Sequence, residues 1–191
     1  MVGNDIVDLK QAALESNWQR KGFLNKVFTQ KELSYIQDSE NPFVMVWKLW
    51  SMKESAYKIN VQKHQQRFFN PKRIICTLLD NVKGEVGIDN NIYDTFSTIH
   101  SAFIYTVAIS KNTYKPQSNW FKIENSFYKT QHQTCHTQLK KAISQLYNIK
   151  SESATVKKSI LGIPKLFKEE EPLKIKCSIT HHGNYGAYVI F

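Results

Sequence analysis

At 191 residues, with 26 Lys and Arg against 16 Asp and Glu and a formal charge of +10, the chain can bury a substantial core as one domain or two small halves. No apolar run approaches the ~20 residues of a membrane span, and Asp5 and Asp8 stand where a secretory signal needs an apolar stretch, so neither membrane insertion nor export is expected. Cys76, Cys135 and Cys177 are odd in number, widely spaced and match no zinc pattern, which points to reduced thiols in a cytoplasm rather than a disulfide framework.

In chain order, Val2 to Leu9 is a β-branched run that reads as a strand. Asp is depleted in strands, so the two acids within it ask for a reason. Alternation sets Asp5 and Val7 on one face and Ile6 and Asp8 on the other, so only one acid can face a given site. Asp5 is favoured because it follows Gly3, where backbone can approach a ligand closely. Helices are expected over Leu9 to Lys21 and Thr29 to Gln37, then over Phe43 to Gln62.

At about 100° per residue, that third helix aligns Phe43, Trp47, Trp50, Glu54 and Lys58 on one stripe. The tryptophans read as core, which leaves Glu54 as a carboxylate on an aromatic face. Such a group costs several kcal/mol unless it is paired or metal-bound. Lys58, one turn on, is one candidate partner and a divalent cation is another. Few hard oxygen ligands, completed by waters and phosphate oxygens, describe Mg²⁺ rather than zinc.

Strands are expected at Arg73 to Leu79, Glu85 to Ile88, Ile92 to Thr98 and Ala102 to Ser110, separated by Asp- and Asn-rich turns. Lys111 to Ser118 reads as a linker. The second half offers a strand near Trp120 to Ile123, a helix over Lys129 to Tyr147 and a strand near Thr155 to Ser159. The end, Cys177 to Phe191, reads as strand, polar turn, strand. Ser178, Thr180, His181 and His182 are expected at its turn, where hydroxyl, imidazole and amide groups suit phosphate.

Taken singly, each motif has an ordinary explanation. Asp5 and Asp8 could be solvated strand-end acids, Glu54 and Lys58 a surface pair contributing roughly 0.3–0.5 kcal/mol, and His181 a turn histidine. The other histidines, His132, His136 and His182 among them, read as structural or surface. The joint pattern is what resembles a known family, the 4'-phosphopantetheinyl transferases. Gly3-Asn4-Asp5 is similar to its Gly-x-Asp strand, Trp50-Ser51-Met52-Lys53-Glu54-Ser55-Ala56-Tyr57-Lys58 to its helix motif, and Ser178-Ile179-Thr180-His181 to its Ser-x-Ser/Thr-His turn.

That resemblance implies an α+β fold and transfer of the phosphopantetheine arm of coenzyme A to a serine of an apo acyl or peptidyl carrier protein, with release of adenosine 3',5'-bisphosphate. It implies Mg²⁺ on Asp5 and Glu54, with Glu54 also taking the serine proton. Lys58 would contact the transferred phosphate, Lys53 would sit near the coenzyme phosphates, and Thr180 and His181 would hold those phosphates from the other side. Two departures stand out. Val7 occupies the place of a second acid in the larger members, while Asp8 matches the smaller synthases. Gly162-Ile163-Pro164-Lys165 replaces a Gly-Lys-Pro element, with Lys165 as a displaced substitute.

The same resemblance divides the chain at 1–112 and 113–191. The second part looks like the amino-terminal half of the larger members, which implies a monomeric pseudo-dimer of two α+β halves in permuted order; the alternative is a small-type synthase acting as a trimer. A basic surface suits an acidic carrier protein and an anionic coenzyme. It would equally suit nucleic acid, but the basic residues are scattered, without an arginine-rich arm or basic amphipathic helix, and no nucleic-acid or membrane partner is expected. The competing function is a non-catalytic module of the same fold that binds a carrier protein or coenzyme A.

Overall fold

The computed structural model describes every residue except Phe69, Asn112 and Thr113. Its first part runs β1 (Val2–Asp8), α1 (Leu9–Glu15), α2 (Phe23–Val27), α3 (Gln30–Gln37) and α4 (Pro42–His64). A 3-10 turn at Pro71–Arg73 leads to β2 (Ile74–Leu78), β3 (Lys83–Ile88), β4 (Asn91–Ile99) and β5 (Phe103–Ser110). These strands form one antiparallel sheet in the order β1-β5-β4-β3-β2. Helix α4 lies across it, with Leu49, Met52, Ala56 and Ile59 packed against Ile74, Val86, Ile88 and Ile104.

The long helix is well specified locally. Asn41 caps it by accepting a hydrogen bond from Val44 N, Pro42 occupies the first turn, and Lys63 and His64 sit at the negative end of the helix dipole. Thr29 and Glu32 form a reciprocal capping box at the start of α3. The helix expected to reach Lys21 stops at Glu15 instead. Asp8 caps its start through Lys10 N and Gln11 N, but Ser16 is already extended (φ −126°, ψ 113°) and ends the helical ladder.

The second part contains β6 (Gln117–Lys122), α5 (Tyr128–Tyr147), β7 (Ala154–Lys158), β8 (Pro164–Lys168), β9 (Glu171–Pro172), β10 (Cys177–His182) and β11 (Tyr185–Ile190). Strands β10, β11 and β6 make a second sheet, and β7, β8 and β9 a third. The expected linker is shorter than the sequence suggested, because β6 begins at Gln117; the boundary at 112 and 113 lies outside the described residues. The segment around Gly162 to Glu171 contains β8.

A second core joins the two parts. Val2, Ile6, Phe103 and Tyr105 from β1 and β5 pack against Ala187 and Val189 of β11. Strand β1 is consequently covered by α4 on one face and by the second part on the other, and all of its residues are buried. Helix α5 covers β10 and β11 from beyond, with Leu139, Ala142 and Ile143 packed near Cys177 and Ile190. The chain is thus α+β with antiparallel sheets, each larger sheet backed by one long helix. This arrangement is compatible with a pseudo-dimer.

Candidate active site

The site forms where β1, α4 and β10 meet. Gly3 is needed there for packing rather than for ligand access: a Cβ at this position would lie 2.1 Å from the Ser55 carbonyl oxygen. The small hydroxyls of the helix motif serve the same close approach. Ser55 Oγ donates to the β5 carbonyl of Thr106 at 3.0 Å, and Ser51 Oγ to the carbonyl of Asp5 at 3.4 Å. With the helix held this close, Lys58 reaches back over β1, donating to Asn4 O at 2.7 Å and to Asp5 Oδ1 at 3.2 Å. Thr180 Oγ1, from β10, donates to the same Asp5 oxygen at 3.2 Å.

Glu54 has no hydrogen-bond or ion-pair partner among the described residues, although Lys58 is one helical turn away. Lys58 is engaged by Asp5 and Asn4 instead. Burial, with the neighbouring Asp5 charge adding to it and Lys58 partly offsetting it, pushes the Glu54 carboxyl up to about 7. Two adjacent carboxylates, one of them unpaired and reluctant to ionise, form a donor set that a hard divalent cation would relieve. Three or more acidic, His or Cys side chains arranged for a metal are not found among the described residues. Asp5 and Glu54 are oxygen donors of the kind that would suit a hard cation such as Mg²⁺, which tolerates few protein ligands.

Asp8 has a different task. Its Oδ1 caps α1, and its Oδ2 accepts from Asn184 N at 2.9 Å across the tight turn between β10 and β11. That turn requires Gly183, whose φ is +53° and whose added Cβ would strike Asp8 Oδ2 at 2.3 Å. Asp8 N in turn donates to His182 Nδ1 at 3.0 Å. This acid stitches the parts together and does not share the Asp5 site. Ser178, Thr180, His181 and His182 lie along β10 itself, with Gly183 and Asn184 forming the turn, so the expected turn site is a strand site.

Two sequence assignments are corrected by position. Lys53 is buried in the core, bridging Glu32 Oε1 at 2.8 Å and donating to the carbonyls of Pro71 and Ile74. It borders neither of the cavities beside Lys58, where the coenzyme phosphates were expected. Lys165 lines a separate cavity of about 160 Å³ with Met1, Gln62 and Leu173, containing neither Asp5 nor Glu54. The register explains why. Lys165 pairs with Lys157 across β7 and β8, whereas Lys158 pairs with Pro164, and cross-strand partners share a face. Pro164 and Lys158 face the site.

Two cavities flank Lys58. One, of about 330 Å³, is bordered by Glu54, Tyr57, Lys58, Val61, Ile163 and Ile179. The other, of about 280 Å³, is bordered by Asp5, Lys58, Lys158, Thr180, His181 and the α5 histidines His132 and His136. Burial first, then the nearby Lys158, His132, Lys58 and His182, hold His181 down to about 4. Lys158, His132, His136 and the core acid Glu32 were missed as partners in the sequence. Lys158 could have been found from the period-two alternation of β7, had the Ser159-to-Gly162 turn been recognised as a hairpin connection.

A family model, ACPS: 4'-phosphopantetheinyl transferase superfamily, matches residues 1–108, the span that contains Asp5, Glu54 and Lys58. Among solved structures, the chain is similar to the Thermotoga maritima holo-[acyl-carrier-protein] synthase (AcpS), at 12% identity over 90% of this chain and 83% of that one, with a TM-score of 0.45. No curated protein matches. With its family model covering more than half of its length, the chain belongs to the 4'-phosphopantetheinyl transferase superfamily.

Proposed function

We propose that this protein transfers the 4'-phosphopantetheine group of coenzyme A to a serine hydroxyl of an apo acyl or peptidyl carrier protein, releasing adenosine 3',5'-bisphosphate, with Mg²⁺ held by Asp5 and Glu54. The observation that carries this reading is the unpaired Glu54 beside the Asp5–Lys58 pair, at the junction of two cavities.

When bound, Mg²⁺ neutralises charge on the pyrophosphate and its leaving oxygen. Glu54, the unpaired carboxylate of the site, would accept the serine proton, a contribution typically of ~10²–10⁴-fold. As the serine oxygen bonds to the phosphorus of the arm, the bond from that phosphorus to the bridging oxygen of the bisphosphate breaks. Lys58, fixed by Asn4 and Asp5, offers its remaining N–H to the transferred phosphate. A neutral His181 presents a ring N–H to the coenzyme phosphates from β10, and Thr180, whose hydroxyl donates to Asp5, borders the same cavity. The apolar border of the Glu54 cavity suits the pantetheine arm.

An acidic carrier protein is the partner, steered by the +10 charge. The pseudo-dimer reading makes the working unit a monomer, since β10 brings Thr180 to Asp5 within one chain. Three buried free thiols support a reducing, cytoplasmic setting. No helix among the described residues is long and apolar enough to cross a membrane. The test is chromatographic. Adenosine 3',5'-bisphosphate should appear only when coenzyme A, Mg²⁺ and an apo carrier are all present; its absence with every carrier type would overturn the reading.

A further inference from the structure

Strand β1 lies at the edge of its sheet, so alternate backbone groups point off the ladder with no strand to receive them. Because β1 is buried, each of these groups needs another partner. Side chains supply three of them. Gln62 Nε2 donates to Val2 O at 3.0 Å and Lys58 Nζ to Asn4 O at 2.7 Å, both from α4. The third bond is made by the other part of the chain: Asp8 N donates to His182 Nδ1 of β10 at 3.0 Å.

We propose that His182 is a positioning residue for the coenzyme site: by accepting from Asp8 N it fixes where β10 lies along β1, and so holds Thr180 against Asp5 and His181 at its cavity. The inference rests on the transferase reading for the identity of the coenzyme, whereas the bond itself does not. Thr180 and His182, two residues apart on one strand, face β1 together. His181, between them, turns to the α5 side, where its ring meets that of Tyr128 with centroids 5.7 Å apart.

Among the described residues no backbone ladder joins β1 to β10, which belong to different sheets, so side chains must set how one lies along the other. Thr180 contributes one bond, from a rotating hydroxyl at 3.2 Å. The His182 contact is closed on both sides of the turn that follows it. Asn184 N donates back to Asp8 Oδ2 at 2.9 Å, and Gly183 leaves no room for a side chain between them. The tautomer follows from the bond. Nδ1 must be unprotonated to accept, which leaves the proton on Nε2, where Glu15 Oε2 of α1 lies at 3.3 Å.

The test pairs binding with stability. Coenzyme A is titrated calorimetrically into the wild-type protein, His182→Ala and His182→Asn, and thermal unfolding is followed for each. His182→Ala leaves Asp8 N without its acceptor and should weaken coenzyme A binding by about five- to tenfold, the scale of one hydrogen bond. His182→Asn places an amide oxygen near the position of Nδ1, where it can accept from Asp8 N, and should return the affinity to within about twofold of wild type. In the wild-type protein, NMR correlation of the His182 ring nitrogens with their protons should show the Nε2–H tautomer, a result that stands whether or not His182→Ala folds.

A lower Tm in His182→Ala with unchanged coenzyme A affinity would make His182 structural only and overturn the proposal. So would His182→Asn binding no better than His182→Ala, or a proton on Nδ1 in the wild type. Its failure is separable from failure of the transferase reading. Carrier modification by the wild type, with His182→Ala matching it in KM for coenzyme A, removes the positioning role alone. Coenzyme A binding that falls in His182→Ala and returns in His182→Asn, without any carrier modification, removes the transferase reading and leaves the positioning role standing.

Discussion

Lys58 on α4 is ion-paired with Asp5 on β1 at 3.2 Å, rather than with Glu54 one turn before it on the same helix. The pairing divides the labour of the site. Asp5 accepts from two donors on one oxygen, whereas Glu54 has no partner among the described residues and its carboxyl is raised to about 7.

Glu54→Gln should abolish transfer while making the metal-free protein more stable at alkaline pH. The sign follows from the shift. With its carboxyl raised from 4.5 to about 7 in the fold, Glu54 favours folding least above pH 7, where burial of its charge costs up to about 3 kcal/mol; the cost fades as pH falls through that range and is absent below the unfolded value. Thermal unfolding in EDTA should therefore show a higher Tm for the variant at about pH 8 and near-equal values at about pH 4. Identical Tm values at both would contradict the assigned environment, and wild-type turnover would contradict the role.

Asp5→Asn and Asp8→Asn should fail differently. The first should raise the Mg²⁺ concentration needed for half-maximal activity. The second loses the acceptor for Asn184 N, and should cost about 1–2 kcal/mol of stability with little change in the metal titration. A metal requirement that moves only with Asp8 would exchange their roles.

Lys53→Met should act through stability alone. It strands Glu32, which is fully buried and otherwise bonded to Cys76 N at 2.7 Å and Thr29 N at 2.8 Å, and removing one partner of a buried pair costs about 3–5 kcal/mol. Urea unfolding should shift accordingly. Below the unfolding transition, the KM for coenzyme A should match wild type; a raised KM with unchanged stability would return Lys53 to the site.

Gly3→Ala should destabilise the protein severely, because α4 cannot retreat from the Ser55 oxygen without dragging Ser51 and Lys58 off β1. Circular dichroism melts would detect this. A variant with wild-type Tm would mean that the helix and strand are less closely held than described.

The legible parts of this protein were those with strong local rules. Helix α4 announced itself by the stripe from Phe43 to Lys58, and alternation in β1 set Asp5 and Asp8 on opposite faces. Other features depended on distant contacts. The partner of Lys53 is Glu32, on another helix, and no spacing rule links them. Placing Thr180 on β10 beside Asp5 required the register of β10 against β11, and Lys158 displaced Lys165 because a hairpin register decides which neighbour faces inward. Local periodicity states which residues share a face; it does not state what that face meets.

The central claim is tested most directly by intact-mass analysis of apo carrier proteins incubated with the protein, coenzyme A and Mg²⁺, alongside EDTA and Glu54→Gln controls. The account predicts that at least one carrier gains a single phosphopantetheine group with the wild-type protein, and that none does in either control. No gain on fatty-acid, polyketide or peptidyl carriers, or a gain that persists with Glu54→Gln in EDTA, would contradict it.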